Sequence, residues 1–376
     1  MNKITTLTYI STVLRYGYFG RGTDQQLAET LILLSKDWEK TRKLARESRV
    51  WTNLVALLIE TKTWHPLIPS ALKSELKFAY LHHLAQGQQS KEQLIEIADA
   101  FHQNTTDPMI VLKGGLRLLD DLYPSVAHRF LADLDFYFQG TSTLRQFQQM
   151  GYAAQDQAFD LATADTDYLR SARKAHHHLP ALFKPPYKKR VELHQDLIAK
   201  HAQAFMPKSL ATNAQEAMPG LYAPSPVDQL IINIIHSQYG DQRAVHANFR
   251  LRNIFEGYLL YRRLDTDQQR ALDAHFAAIN RPQDLDFWKY LCIKFCGADE
   301  LSAPHSLSLR MRYALYTYTN QNSPLNSLLY FGYFITDFMR YGLWDKQERQ
   351  RIVKNLLGRE TRMRFFKKLG QIVGRP

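Results

Sequence analysis

The stretch "VLKGGLRLLDDLYPSVAHRFLADLDFYF", residues 111–138, decides how the rest of the chain is read. Its end, "ADLDFYF", has the aliphatic and aromatic bulk of a buried strand, yet it carries Asp133 and Asp135. Residues i and i+2 of a strand project to the same side, so the two carboxylates point together while Leu134 and Phe136 pack on the other face. Two such charges about 5 Å apart repel by roughly 1 kcal/mol in water, and by several times that at an effective dielectric near 20. A strand accommodates the pair when it faces water, shares a proton or holds a cation. A divalent ion with oxygen ligands, Mg²⁺ above all, turns the repulsion into attraction.

The upstream half of the stretch supplies a complement. "TTDPMIVLKGG" reads as a turn, an apolar strand over 109–112 and a glycine pair, Gly114 and Gly115, with "LRLLDDLY" following as a short helix. A strand–Gly-Gly–helix junction offers backbone N–H groups, and the missing side chains leave room for a phosphate. Lys113 adds a point charge, and Arg129 lies four residues before Asp133. A third carboxylate is wanted as ligand or base. Glu192, in the strand candidate "RVELHQDL", fits best, with Asp196 as second choice. A D-x-D or a Gly-Gly is commonplace alone, so the order and spacing carry the weight. An anion cradle beside a metal-binding pair suits phosphoryl or nucleotidyl transfer, where positioning and charge neutralisation do most of the catalysis.

Outward from this segment the pattern is helical. Residues 1–104 form an N-terminal helical region: "TDQQLAETLILLSK" has Thr23 and Asp24 as cap candidates and Leu27, Leu31 and Leu34 on one face. Residues 105–200 form an α/β core. Residues 201–376 form a C-terminal helical region, entered through the Pro-punctuated connector "MPGLYAPSP". The expected fold class is α+β, a mixed-sheet core flanked by helices.

The formal charge is +12, and residues 340–376 hold eleven Lys or Arg against three acids. With Phe365 and Phe366 interleaved, that tail can grip a phosphate backbone and stack on bases, or it can be a docked helix with a solvated basic face. Cys292 and Cys296, four apart in a helical segment, suit core packing in a reducing cytoplasm better than a disulfide or a zinc site. The start of the chain, interrupted by Arg15, does not read as a signal peptide, and "SLLYFGYFITDFM" is too short for a membrane span. A cytoplasmic protein is expected. No G-x-S-x-G, P-loop, Rossmann fingerprint or H-E-x-x-H occurs.

The order "LKGG…YP…R…DLDFYF…HHLP…VELHQDL" resembles the nucleotidyltransferase superfamily that shares the polymerase-beta palm fold. Within it, the chain is similar to the uncharacterised nucleotidyltransferase family, which has "LKG" before a helix and "R…DxD" on a strand. The lead-in "KDWEKTRKLARE" and "PLIPSALKSEL" also look like that family's "DW" and "IP" elements, so the resemblance spans about residues 30–260. It implies Gly114 and Gly115 at the nucleotide phosphates, Asp133 and Asp135 as Mg²⁺ ligands, and Glu192 as third acid. Lys113, Arg129, His178 and His194 then fall at nucleotide-binding positions. His194 shares a strand face with Glu192, so orienting that carboxylate is a second role open to it. Two Mg²⁺ ions are implied, with Mn²⁺ as a substitute.

The expected activity is transfer of a nucleoside monophosphate from an NTP to an acceptor hydroxyl. The basic balance favours RNA as acceptor, with the 3′ end of tRNA a specific case, and some relatives act as toxins held by a cognate antitoxin. Nucleotidylation of a protein, such as AMPylation, or of a small molecule is the alternative. A non-catalytic RNA- or partner-binding module is the second, opposed by the three clustered acids.

Overall fold

The computed structural model describes residues 3–303 apart from 62–69, 105–108, 139, 155–158, most of 160–177, 199, 209 and 241–249, together with a helix at 307–319. The basic tail and the histidines at 176 and 177 lie outside the described residues. The fold is α+β, with a seven-stranded mixed sheet among helices.

Four helices open the chain: α1 (Lys3–Phe19), α2 (Asp24–Ser35), α3 (Trp38–Glu47) and α4 (Trp51–Glu60). Thr23 caps α2 by accepting from the Gln26 N–H, and Gln26 returns the bond in a capping box; Leu27, Leu31 and Leu34 are buried as their spacing requires. The 35-residue α5 (Ser70–Asn104) follows.

Three strands form the centre of the sheet: β1 (Met109–Val111), β2 (Asp133–Tyr137) and β5 (Arg190–His194). β1 runs antiparallel to β2, and β2 runs parallel to β5. Short β3 (Ala153–Ala154) and β4 (Leu182–Phe183) extend one side. β6 (Gln215–Met218) and β7 (Leu221–Ala223) extend the other, giving the order β3-β4-β5-β2-β1-β7-β6. Helix α6 (Lys113–Leu116) follows β1, α7 (Ser142–Gln149) follows β2, and α8 (Lys200–Gln203) follows β5.

Strand alternation does the sorting here. Leu134, Phe136, Val191 and Leu193 are fully buried on one face, beneath Leu94, Ile97 and Phe101 of α5 and Leu144 and Phe147 of α7. Phe147 bridges the layers, with ring centroids 5.4 Å from Phe101 and 6.3 Å from Phe136. Each such side chain contributes about 1.5–3 kcal/mol on burial, which fixes the register and holds the opposite face of β2 and β5 outward.

Two details differ from the sequence reading. The short helix after β1 is not "LRLLDDLY" but the glycines themselves, in the four-residue α6. The reason is packing. A Cβ on Gly114 would lie 2.4 Å from Leu131 Cδ2, and one on Gly115 2.7 Å from Val111 Cγ2, so only glycine lets this turn of helix close onto the sheet. The segment read as a connector, "MPGLYAPSP", is also partly sheet. β7 pairs in parallel with β1, so the sheet continues past residue 200. Gly220 makes the β6–β7 turn at φ +84°, where a Cβ would strike the Ala98 carbonyl oxygen of α5 at 2.2 Å.

Helices α9 (Pro226–Tyr239), α10 (Leu251–Tyr261), α11 (Thr266–Ala278) and α12 (Pro282–Cys296) follow; Cys292 and Cys296 of α12 are free and buried. Residues Thr5–Gly240 and Arg250–Pro304 fall in one compact unit, which holds α2–α12 and the whole sheet. Helix α13 (Leu307–Thr319) belongs to a second unit. Among the described residues no helix is long and apolar enough to cross a membrane.

Candidate active site

The parallel register sets Asp133 beside Arg190, Asp135 beside Glu192 and Tyr137 beside His194. Because both strands alternate in phase, Asp133, Asp135, Arg190, Glu192 and His194 share the face turned away from α5 and α7. Three carboxylates, a guanidinium and an imidazole therefore gather across two adjacent strands.

Asp135 is the centre of this face. Its Oδ1 accepts from Lys113 Nζ at 2.9 Å and from His194 Nε2 at 2.7 Å. Burial alone would raise its pKa, but Lys113 and His194 overcome that and hold the carboxyl well below the usual range. An ionised Asp135 can only accept, so the His194 proton on that bond sits on Nε2. Burial and the Lys113 charge push the His194 pKa down, which favours the neutral imidazole. Asp133 and Glu192 are tied together by Arg190, whose Nη2 is 3.4 Å from Asp133 Oδ2 and 2.9 Å from Glu192 Oε1. Burial, with Asp133 and Asp135 adding to it, raises the pKa of Glu192.

Lys113 reaches Asp135 from an unusual backbone. Its φ is +48°, in the left-handed region that a side chain disfavours by roughly 1–3 kcal/mol. The turn from β1 into α6 holds it there, and the result is an ammonium delivered to the buried carboxylate. Backbone pairing reinforces the junction, since the Leu112 N–H donates to the Asp135 carbonyl at 2.8 Å.

The fold brings together five of the residues singled out from sequence: Lys113, Asp133, Asp135, Glu192 and His194. His178 stands beside them, bridged to His194 in antiparallel fashion with ring centroids 5.6 Å apart. Asp196 is buried beyond the end of β5. Arg129 pairs with Glu256 rather than with the carboxylates of the sheet, while its Nη2 lies close to Gly114. Its guanidinium is buried with Nε 2.8 Å from Glu256 Oε2, and Nη1 donates to the Phe130 carbonyl. Gly114 and Gly115 are buried, and the Gly115 N–H donates to the Leu112 carbonyl at 3.1 Å. His194 orients Asp135 more directly than Glu192, whose Oε2 is 4.0 Å away. Arg190 joins the site as well, and its alternation with Glu192 and His194 in "RVELH" is visible in the sequence.

Asp135, Glu192 and His194 each offer a ligand atom, all within 4.8 Å of one another. The donor chemistry fits a divalent cation through two carboxylates neutralised by basic side chains, and His194 Nε2 joins them as a ligand only if it gives up the proton it shares with Asp135. A family model described as "Uncharacterised nucleotidyltransferase" matches residues 35–292. The chain belongs to this nucleotidyltransferase family. The match runs from the end of α2 into α12 and contains every strand of the sheet. Neither the search of curated proteins nor that of solved structures found a match. As a nucleotidyltransferase the chain is an enzyme with a nucleotide substrate, and such enzymes typically use divalent metal.

Proposed function

We propose that the nucleotidyltransferase moves a nucleoside monophosphate from an NTP to an acceptor hydroxyl at the Asp133–Asp135–Glu192 face. The observation that carries this is the in-phase pairing of β2 with β5, which sets three carboxylates on one sheet face. In the reaction the acceptor oxygen bonds to the α-phosphorus, the bond to the β-phosphate bridging oxygen breaks, and pyrophosphate leaves with that electron pair.

Asp133, Asp135 and Glu192 would hold Mg²⁺, two ions in the usual arrangement, with Mn²⁺ as substitute. Bound there, the metal supplies charge neutralisation at the transferring phosphate. His194 holds Asp135 Oδ1 in place, leaving its second oxygen to a ligand bond. Glu192, with its raised pKa, is suited to take the acceptor proton. Lys113 and Arg190 neutralise the acids in the free protein and lie where a triphosphate would draw them away. His178 stands within reach as a further nucleotide contact.

The acceptor favoured by the +12 charge is RNA, with the 3′ end of tRNA as the specific case. A cytoplasmic location is proposed from the two buried, free cysteines, and a toxin role held by an antitoxin from the resemblance to the family. The test is incubation with a divalent metal and each α-³²P-labelled NTP, with total tRNA and lysate as acceptors. Label on RNA that disappears with Asp133→Ala/Asp135→Ala supports the proposal. Label on a protein moves the acceptor to nucleotidylation of a polypeptide. No label with any nucleotide refutes it.

A further inference from the structure

Around Glu256, guanidinium groups outnumber the acids that could pair with them. Arg117 donates to Asp120 and, at 2.8 Å, to Gln229 Oε1. Arg129 takes Glu256 at 2.8 Å, and Tyr123 OH approaches the same oxygen at 3.3 Å. Those pairings use both carboxylates. Arg252, on the first turn of α10, lies within electrostatic reach of Arg129, Arg49 and Glu256 and is left over. Among the described residues its guanidinium has no acid within ion-pair distance, and its Nε is buried without a hydrogen-bond partner. Its backbone is anchored, with the N–H donating to the Ser48 carbonyl at 3.3 Å, so the head group is not free to swing into bulk water with the helix end.

A guanidinium has five donors in a rigid fork and does not shed its proton readily. Holding one partly buried beside a second cation is costly unless an anion joins it. Desolvation and the Arg129 and Arg49 charges push its pKa down, which states the same cost from the proton's side. The residue as a whole is partly exposed although Nε is buried. Arg129 links this cluster to the turn after β1: its Nη2 would be 3.1 Å from a Cβ on Gly114, next to the Lys113 that pairs with Asp135.

We propose that Arg252, with Arg129 beside it, forms a second anion site that takes a phosphate group of an oligophosphate or phosphodiester ligand, apart from the carboxylate cluster. The choice of phosphate rests on the nucleotidyl-transfer reading; the unpaired guanidinium does not.

The experiment is calorimetric titration of the full chain in EDTA with sodium tripolyphosphate and, separately, with a short single-stranded RNA. Wild type, Arg252→Met, Arg252→Lys and Asp133→Asn/Asp135→Asn are compared. Loss of a charge-assisted bidentate contact should weaken binding at least about tenfold in Arg252→Met, with partial recovery in Arg252→Lys. The aspartate variant should bind the anion as well as wild type or better. A loss confined to tripolyphosphate assigns the site to the nucleotide tail, and one confined to RNA assigns it to the acceptor. Equal affinity of wild type and Arg252→Met for both probes overturns the proposal. Thermal unfolding without ligand closes the remaining gap: Arg252→Met should melt no lower than wild type, and a clearly lower midpoint would show the guanidinium already satisfied within the protein and overturn it too. Failure of nucleotide labelling would leave these titrations unaffected, so the two readings fail separately.

Discussion

At the scale of single residues, Glu192 is the sharpest test of the site. Its raised pKa makes it a proton acceptor over the range in which Asp135 is already fully ionised. Glu192→Gln keeps the shape and removes both the charge and the basicity. Transfer should fall by about two orders of magnitude or more, the scale of losing one preorganised electrostatic group, while circular dichroism and the thermal midpoint stay close to wild type. Near-normal turnover would remove Glu192 from the chemistry. Gly114 tests a different claim. Gly114→Ala would push a methyl to 2.4 Å from Leu131 Cδ2, and overpacking of that kind costs about 1–3 kcal/mol. The expected result is a lower denaturant midpoint with an unchanged slope, and an unaltered midpoint would show that α6 shifts freely. These two residues also mark what the sequence made legible. The phase of Asp133 and Asp135 follows from strand geometry alone, and Glu192 from the character of its own strand. That Gly114 answers to Leu131, and Arg129 to Glu256, depends on contacts closed by the tertiary fold, which spacing does not reveal.

At the scale of elements, the strands that carry chemistry could be read from composition, whereas β6 and β7 could not. They are short, half-exposed and flank a Pro-Gly turn, so only the pairing of β7 with β1, and of β6 with β7, makes them strand. Helix α5 provides the prediction here. His83 sits half-buried on it, and burial, with His82, Arg46 and Lys189 adding to it, lowers its pKa to about 4. An unfolded His titrates near 6.5, so between that value and about 4 the unfolded chain binds more protons than the folded one. Stability therefore falls as pH drops through that window and levels off below it. His83→Gln should flatten this part of the curve of unfolding free energy against pH, measured by urea denaturation at half-unit steps. A slope unchanged by the substitution would mean that His83 protonates as easily folded as unfolded.

At the scale of the whole unit, the question is what ties the C-terminal helices to the sheet that bears the site. Glu256 of α10 supplies the tie. Its carboxylate meets Arg129, which leads into β2, and approaches Arg117 Nε, just after α6, at 3.6 Å, with every partner buried. Burial opposes its charge, yet Arg129, Arg117 and Arg252 outweigh it and lower the pKa of Glu256. A depressed carboxyl contributes stability that is fully present above its unfolded value near 4.5 and is lost as pH falls through the folded value. Glu256→Gln removes that contribution and leaves the guanidiniums facing one another. The loss should be about 3–5 kcal/mol at neutral pH, typical of breaking a buried pair by deleting one partner. It should also shrink as the medium is acidified below pH 4.5, because wild type then gives up the same interaction. Adding tripolyphosphate supplies the discriminating step. If Arg252 and Arg129 form an anion site, the ligand should recover more stability in Glu256→Gln than in wild type, since it restores a negative charge where the glutamate stood. Equal shifts in both proteins would separate the Glu256 tie from the anion site and confine Glu256 to holding α10 on the sheet.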